Sequence, residues 1–248
     1  MKAMILAAGQ GTRLQPLTQR TPKALVPVAG RPMIDYSLLL LKRYGVRDII
    51  INLHHLGDQI ESYLGDGKRL GLQITYSDEP ELLDTGGGLL KAKPFLQDST
   101  FIVINTDVLI DLSLDELMAF HKQKGAAATL VLRPDPLADQ YGSMEIDDDG
   151  RIHRFLQVQV AAPVSHPITK LMFTGVQILE PRVFDYLESD RTLRKFSTTK
   201  NTYPRMLLQQ EKLFGFRFDG FWQDVGTGSR IKEAEESLAA GKATLHFL

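Results

Sequence analysis

The chain contains no cysteine in its 248 residues. Disulfides, zinc thiolates and a cysteine nucleophile are therefore excluded. Net charge is only −1 at pH 7, so no broad field draws the protein to nucleic acid or to an anionic membrane. Any anion site must be built locally. Long apolar runs are also missing. The N-terminal "AMILAA" (3–8) is short, whereas a membrane span needs roughly 20 residues and a secretory leader a longer apolar core. A cytoplasmic protein is expected, with no membrane or nucleic-acid partner. No internal repeat, low-complexity tract or hexapeptide period occurs, so no C-terminal β-helix is expected. What is present is ordinary globular material, 43% hydrophobic and 24% charged, enough to bury a core.

Short apolar runs alternate with helical patterns along the first half. Strands are expected at 3–8, 48–53, 72–77, 101–105 and 127–133, the first with the texture of a buried strand. Helices are expected at 32–44, with Pro32 in the first turn and Gly45 past the end, at 56–65, near 87–93 after a glycine loop, and at 112–125 with Ser113 as N-cap. That alternation argues for a mostly parallel sheet covered on both faces. The fold class expected is α/β, a Rossmann-like three-layer arrangement. After residue 135 the texture becomes β-rich. A hairpin turns at 147–150, and strands follow at 170–179 and 212–218. Helices are expected at 181–187 and 228–241, and a loop at 157–170. The whole reads as a single domain over 1–248, with an α/β nucleus over about 1–135 and a β-rich part over about 136–248.

The stretch "GQGTRL" (9–14) supplies two glycines of G-x-G-x-x-G, but Leu14 stands where the third is needed. A dinucleotide fingerprint requires that glycine for helix–strand packing, and no P-loop occurs either. The physics of the loop survives. Gly9 and Gly11 let backbone N–H groups approach a phosphate, and Arg13 offers a planar fork for phosphate oxygens. Lys23 follows on a chain stiffened by Pro16, Pro22, Pro27 and Pro32. A solvated surface turn with ordinary cations fits the same residues.

The run "MILAAGQGTRLQPLTQRTPKALVPVAGRPMIDY" (4–36) resembles the signature of the sugar-1-phosphate nucleotidyltransferases, G-x-G-T-R-L-x-P-L-T followed by P-K-x-L-x-P-V. The likeness continues in "LLDTGGGLLKA" (82–92), "VINTDVL" (103–109), "YGSMEIDDDGRIHRF" (141–155), "FTGVQILEP" (173–181) and "FDGFWQDVGT" (218–227), and spans about 2–240. The later motifs are most similar in texture to mannose-1-phosphate guanylyltransferase-like single-domain members, and the resemblance implies that about 1–135 is a nucleotide-binding half and about 136–248 a sugar-binding half.

The resemblance implies magnesium-dependent transfer of a nucleoside monophosphate from a nucleoside triphosphate to a sugar-1-phosphate, with release of pyrophosphate. Two polyanions must meet, so positioning and counter-charge carry such chemistry. Arg13 and Lys23 are implied as the catalytic cations. Leu6, Ala8, Gly9, Gly11 and Thr12 are implied as substrate contacts along the loop. Asp107, at a strand end, and Asp224, in "WQDVGT", match the family's metal-holding acids and are the expected Mg2+ ligands. Each aspartate taken alone is as readily a cap or a turn former. Gly86 and Gly87 are implied as nucleobase contacts, although a triple glycine can also be a plain loop. Glu81 matches an acidic position of unassigned role. Gly142, Glu145 and Gly175 are implied near the sugar, with a β-bulge as the alternative for Gly175 and a surface charge for Glu145. Trp222 can stack on a sugar or lie in the core. The six histidines are read as structural or surface residues, and "DDDG" as a hairpin turn rather than a calcium loop. Self-association is left open.

The chain departs from the family in one place. Where relatives carry E-K-P, Gln157 and Val158 stand. The lysine that would grip the sugar phosphate is missing, and Arg154 or Lys170 could replace it. That departure keeps two rivals: a nucleotide-sugar-binding regulator with little catalysis, and a transferase acting on a non-sugar phosphate such as phosphocholine.

Overall fold

The computed structural model describes residues 1–136, 138, 143–159, 167–190 and 192–248. Along the chain, β1 (Lys2–Leu6), the short pair β2 (Pro27–Val28) and β3 (Arg31–Pro32), α1 (Met33–Arg43), β4 (Asp48–Leu53), α2 (Gly57–Leu64) and β5 (Gln73–Asp78) come first. Next come α3 (Asp84–Lys91), α4 (Lys93–Leu96), β6 (Phe101–Asn105), β7 (Val108–Ile110), α5 (Leu114–Lys124) and β8 (Ala128–Arg133). The remainder holds β9 (Ser143–Ile146), β10 (Ile152–Phe155), β11 (Val158–Gln159), β12 (Thr169–Leu179), α6 (Val183–Asp190), α7 (Tyr203–Leu208), β13 (Leu213–Arg217), β14 (Trp222–Asp224) and α8 (Gly228–Ala239). No helix among the described residues is long and apolar enough to cross a membrane.

Two compact units form, and neither is a consecutive half of the chain. The first gathers Met1–Leu82, Ile104–Leu112 and Gly220–Leu248; the second gathers Leu83–Val103 and Ser113–Asp219. In the first unit β1, β4 and β5 pair in parallel, with Lys2 opposite Asp48 and Asp48 opposite Gln73. The apolar runs of β1 and β4 fit this, since a parallel strand covered on both faces needs no polar alternation, whereas β5, at the end of the sheet, carries polar residues and exposed positions. Ala3, Met4, Ile5, Ile49 and Ile51 are all fully buried. Helix α1 packs a stripe containing Ile34, Leu38 and Leu41, and Gly45 ends it at φ 74°. Its helical spacing puts those residues on one face.

The second unit is built on β12, which pairs antiparallel with β8 and β9. β10 continues from β9, β11 from β10, and β13 joins β8 in parallel. The α/β class is as expected, with the parallel pairing concentrated in the first unit and the β-rich texture in the second. The N-cap of α5 is also as expected: Ser113 Oγ accepts from the Glu116 N–H at 3.3 Å, and Gly125 closes the helix at φ 53°. The hairpin turn is knitted by Asp147, whose carboxylate accepts from the N–H groups of Asp149 (3.0 Å) and Arg151 (2.8 Å).

Some expectations need correction. The loop expected at 157–170 contains β11 and the first residues of β12, while 160–166 lie outside the described residues. The helix expected near 87–93 begins earlier, so that "DTGGG" opens α3 instead of forming a free loop. Phe196 supplies the reason. A Cβ on Gly86 would lie 2.4 Å from the Phe196 ring, and the Gly86 N–H donates to Phe196 O at 2.9 Å. The glycines thus let the helix start close against another segment of the same unit.

His121 lies in the core of the second unit, 2% exposed, with Nδ1 on Thr129 Oγ1 at 2.8 Å and Nε2 on Glu180 Oε1 at 3.1 Å. Burial holds its pKa below the ordinary histidine value, against the opposing pull of Glu180. A lowered folded-state value means that the unfolded chain binds the proton better. The contribution is therefore complete above the unfolded value of about 6.5 and is lost as pH falls toward the folded value. Thermal unfolding followed from pH 8 to pH 5 should show a steeper fall for the native chain than for His121→Gln. Nearby, Tyr203 is fully buried and its hydroxyl donates to Gln177 Oε1 at 2.6 Å. Tyr203→Phe leaves that acceptor unpaired and should reduce stability by about 1–3 kcal/mol in urea unfolding.

Candidate functional site

The first unit carries the expected cationic cradle. β1 ends at Leu6, and the chain leaves the sheet through Ala7 and Ala8, both nearly buried, to the exposed Gly9 and Gln10. Gly11 turns the chain at φ 65°. Its position leaves no room for a side chain, because a Cβ would lie 2.7 Å from Thr18 Cγ2 and 3.1 Å from Lys23 Cβ. Thr18 Oγ1 donates to Gly11 O at 2.8 Å, and a short helical turn, Thr12–Leu14, follows. Leu14 anchors that turn by entering a core with Val26, Val28, Met33, Tyr36, Leu109 and Val225. Thr12 and Arg13 stay exposed above it.

The two expected acids come together on this unit. β7 pairs antiparallel with β14, placing Asp224 opposite Val108, and the Val225 N–H donates to Asp107 O at 2.9 Å. Asp107 forms an ion pair with Lys23, the two side chains being 19% and 13% exposed. Asp224 pairs with Arg230 Nη1 at 3.0 Å and accepts from the Gly226 N–H at 2.7 Å. Arg13 closes the group: a Cβ on Gly226 would meet Arg13 Nη2 at 2.7 Å and Asp224 Oδ1 at 2.9 Å. Two acids and three cations therefore share a small region. Hard carboxylate oxygens on adjacent backbone positions suit a divalent cation such as Mg2+. Among the described residues no group of three or more metal-binding side chains gathers, so a cation held there would complete its shell from substrate oxygens and water.

Sequence reasoning missed three residues here. Arg230 sits in the first turn of α8, whose N-cap Thr227 accepts from the Arg230 N–H at 3.4 Å. Asn52 and Glu79 form a buried polar link to Ala7. A polar residue inside the apolar run "DIIINL" was the available signal for Asn52.

Glu81 is exposed on the same unit. His54 and His55 bond to backbone oxygens, Glu79 O at 2.7 Å and Thr18 O at 2.9 Å, in line with structural roles. In the second unit Gly86 and Gly87 both direct their N–H groups to Phe196 O. Gly175, at φ 88°, lies where the β12–β8 register shifts between Phe173 and Gln177, which is a strand irregularity of the bulge kind. Glu145 pairs with Arg154 Nε at 3.0 Å, and Lys170 lies opposite Glu145 on the next strand. Arg154 Nη2 also donates to Gln159 Oε1 at 2.5 Å. Val158 has no charge to offer; Arg154 lies on the neighbouring β10, whereas Lys170 lies on β12, beyond β10 and β9 in the sheet. Gly142 lies outside the described residues.

The family model described as nucleotidyl transferase matches residues 2–241. The N-acetylmuramate alpha-1-phosphate uridylyltransferase of Neisseria meningitidis is 37% identical over 98% of this chain and 100% of its own length. The UTP–glucose-1-phosphate uridylyltransferase of Synechocystis is 36% identical over 91% of this chain and 60% of its own length. The mannose-1-phosphate guanyltransferase of Candida albicans is 38% identical over 91% and 61% respectively. The chain thus spans about three fifths of the latter two relatives and all of the first. Among solved structures, HddC from Yersinia pseudotuberculosis superposes with a TM-score of 0.77 at 24% identity, covering 96% of this chain and 99% of the other, and shares its fold. With a family match running nearly from end to end, this chain belongs to the nucleotidyl transferases.

Proposed function

We propose that the protein transfers a nucleoside monophosphate from a triphosphate to a sugar-1-phosphate, with UTP as the donor and a hexose or acidic amino-sugar phosphate as the acceptor. The donor follows the relative that the chain matches over that relative's full length, a uridylyltransferase. The observation that carries the proposal is the grouping of Arg13, Lys23, Asp107, Asp224 and Arg230 beside the glycine loop.

In the reaction an oxygen of the sugar phosphate forms a bond to the α-phosphorus, the bond from that phosphorus to the bridging oxygen breaks, and pyrophosphate leaves. No redox partner is needed. The Gly9–Thr12 backbone offers N–H groups to the triphosphate. Arg13 faces the leaving end and offsets the charge it gains. Lys23, resting on Asp107, moves to the reacting phosphates when they arrive. Asp107 and Asp224 would hold Mg2+, which supplies charge neutralisation across both phosphates when bound. Glu81, Gly86 and Gly87 are assigned to the nucleotide, and Gly142, Glu145 and Gly175 to the sugar, with Arg154 and Lys170 as candidate substitutes for the missing phosphate lysine. A regulator would have little use for both carboxylates, which favours the enzyme.

Pyrophosphate release with Mg2+, each of four triphosphates and a panel of sugar-1-phosphates tests the proposal. Turnover with UTP is expected. No turnover with any pair, alongside tight binding of a nucleotide sugar, would establish the regulator instead. Asp107→Ala and Asp224→Ala should each lower kcat by about a hundredfold or more without loss of fold, and Lys23→Ala should slow turnover at saturating metal. Gly226→Ala should displace both the Arg13 guanidinium and the Asp224 carboxylate, and lower kcat/KM at least as far as Arg13→Ala while leaving Tm within a few degrees. Full activity in Gly226→Ala would contradict the roles given to both side chains.

A further inference from the structure

We propose that Asn52 and Glu79 are positioning residues that aim the glycine loop through one backbone N–H, that of Ala7; the role rests on the assignment of that loop to the triphosphate. β1 ends at Leu6, opposite Asn52 in the parallel ladder. One residue later the backbone ladder stops and a side chain takes over. The Ala7 N–H donates to Asn52 Oδ1 at 2.8 Å, and Asn52 Nδ2 donates to Glu79 Oε1 at 2.8 Å. Asn52 and Glu79 are each only 3% exposed.

The chemistry of the two side chains makes the arrangement directional. An amide has one accepting and one donating end, and an ionised carboxylate only accepts. Glu79 therefore takes the amide nitrogen and turns the amide oxygen toward Ala7. The opposite side of the strand exit is gripped as well, because Leu6 O accepts from both the N–H (3.3 Å) and the hydroxyl (2.9 Å) of Thr106. The chain that becomes Gly9–Gly11 thus leaves the sheet between two side-chain clamps. Burying a carboxylate is unfavourable, and an apolar pair would fill these positions without that penalty. What the polar pair adds is a fixed direction for one peptide group, just ahead of the Gly9–Thr12 donors and of Arg13.

Polarity reversal tests this. Asn52→Asp sets two carboxylates face to face and should loosen the loop. The double variant N52D/E79Q restores both bonds with donor and acceptor exchanged: the amide introduced at position 79 donates to the carboxylate introduced at position 52, whose other oxygen accepts from Ala7. Hydrogen exchange at the Ala7 amide, read by NMR, reports the clamp without substrate. Kinetic constants for UTP and for the sugar-1-phosphate report its consequence. In N52D, Ala7 exchange should speed up and KM for UTP should rise, each by about tenfold or more, with KM for the sugar phosphate within about twofold. The double variant should recover most of both losses. Unchanged Ala7 exchange in N52D, or a loss shared equally by both substrates and not recovered in the double variant, would overturn the proposal. An inactive native protein with a protected Ala7 amide would overturn the transferase assignment while leaving the clamp standing. An unprotected Ala7 amide in active native protein would overturn the clamp alone.

Discussion

Opposite charges meet twice on the first unit, Lys23 with Asp107 and Arg230 with Asp224, and the ladder between β7 and β14 brings the two pairs together. Without that ladder the two acids would belong to unrelated parts of the chain. As stabilising contacts the pairs give little net gain, since the attraction between largely buried charges is offset by the cost of taking them out of water. As a poised arrangement they make physical sense. On the function proposed above, each acid rests beside a cation that a polyanionic ligand would draw away, freeing the carboxylates for a divalent ion. Net charge near zero is consistent with this, because the counter-charge is local rather than spread over the surface.

Packing beneath the cradle holds it in place. Leu14 from the loop, Val225 from the segment after β14 and Leu109 from β7 enter one apolar cluster. Tyr36 secures the neighbouring turn by donating to Val28 O at 2.6 Å. A rigid base of this kind matters for phosphoryl transfer, where positioning and electrostatics carry nearly all the rate. The loop itself is held by its ends, at Ala7 and Leu6 on one side and at Leu14 on the other, leaving Gly9 and Gln10 exposed.

Much of this was legible from residues alone, for identifiable reasons. Buried parallel strands announce themselves as unbroken apolar runs, and α1 and α5 carried Pro32, Gly45, Ser113 and Gly125 at their ends. The convergence of Asp107 and Asp224 came from resemblance, since no local pattern encodes a contact between such distant positions. "DTGGG" misled because its glycines serve a neighbour, Phe196, that lies far off in sequence. Gly175 left two readings open, and the register shift around it supplies the local geometry. Asn52 and Glu79 were overlooked because a buried hydrogen-bonded pair has no periodic signature. Arg230 looked like any charge in the first turn of an exposed helix.

Binding of Mn2+, a paramagnetic substitute for Mg2+, gives the most direct test, read by electron paramagnetic resonance in the presence of UTP. One bound Mn2+ per chain in the native protein, lost when Asp107 and Asp224 are both replaced by asparagine, is the expected result. Equal Mn2+ binding by the doubly substituted and native proteins would contradict the proposal that these two carboxylates hold the metal.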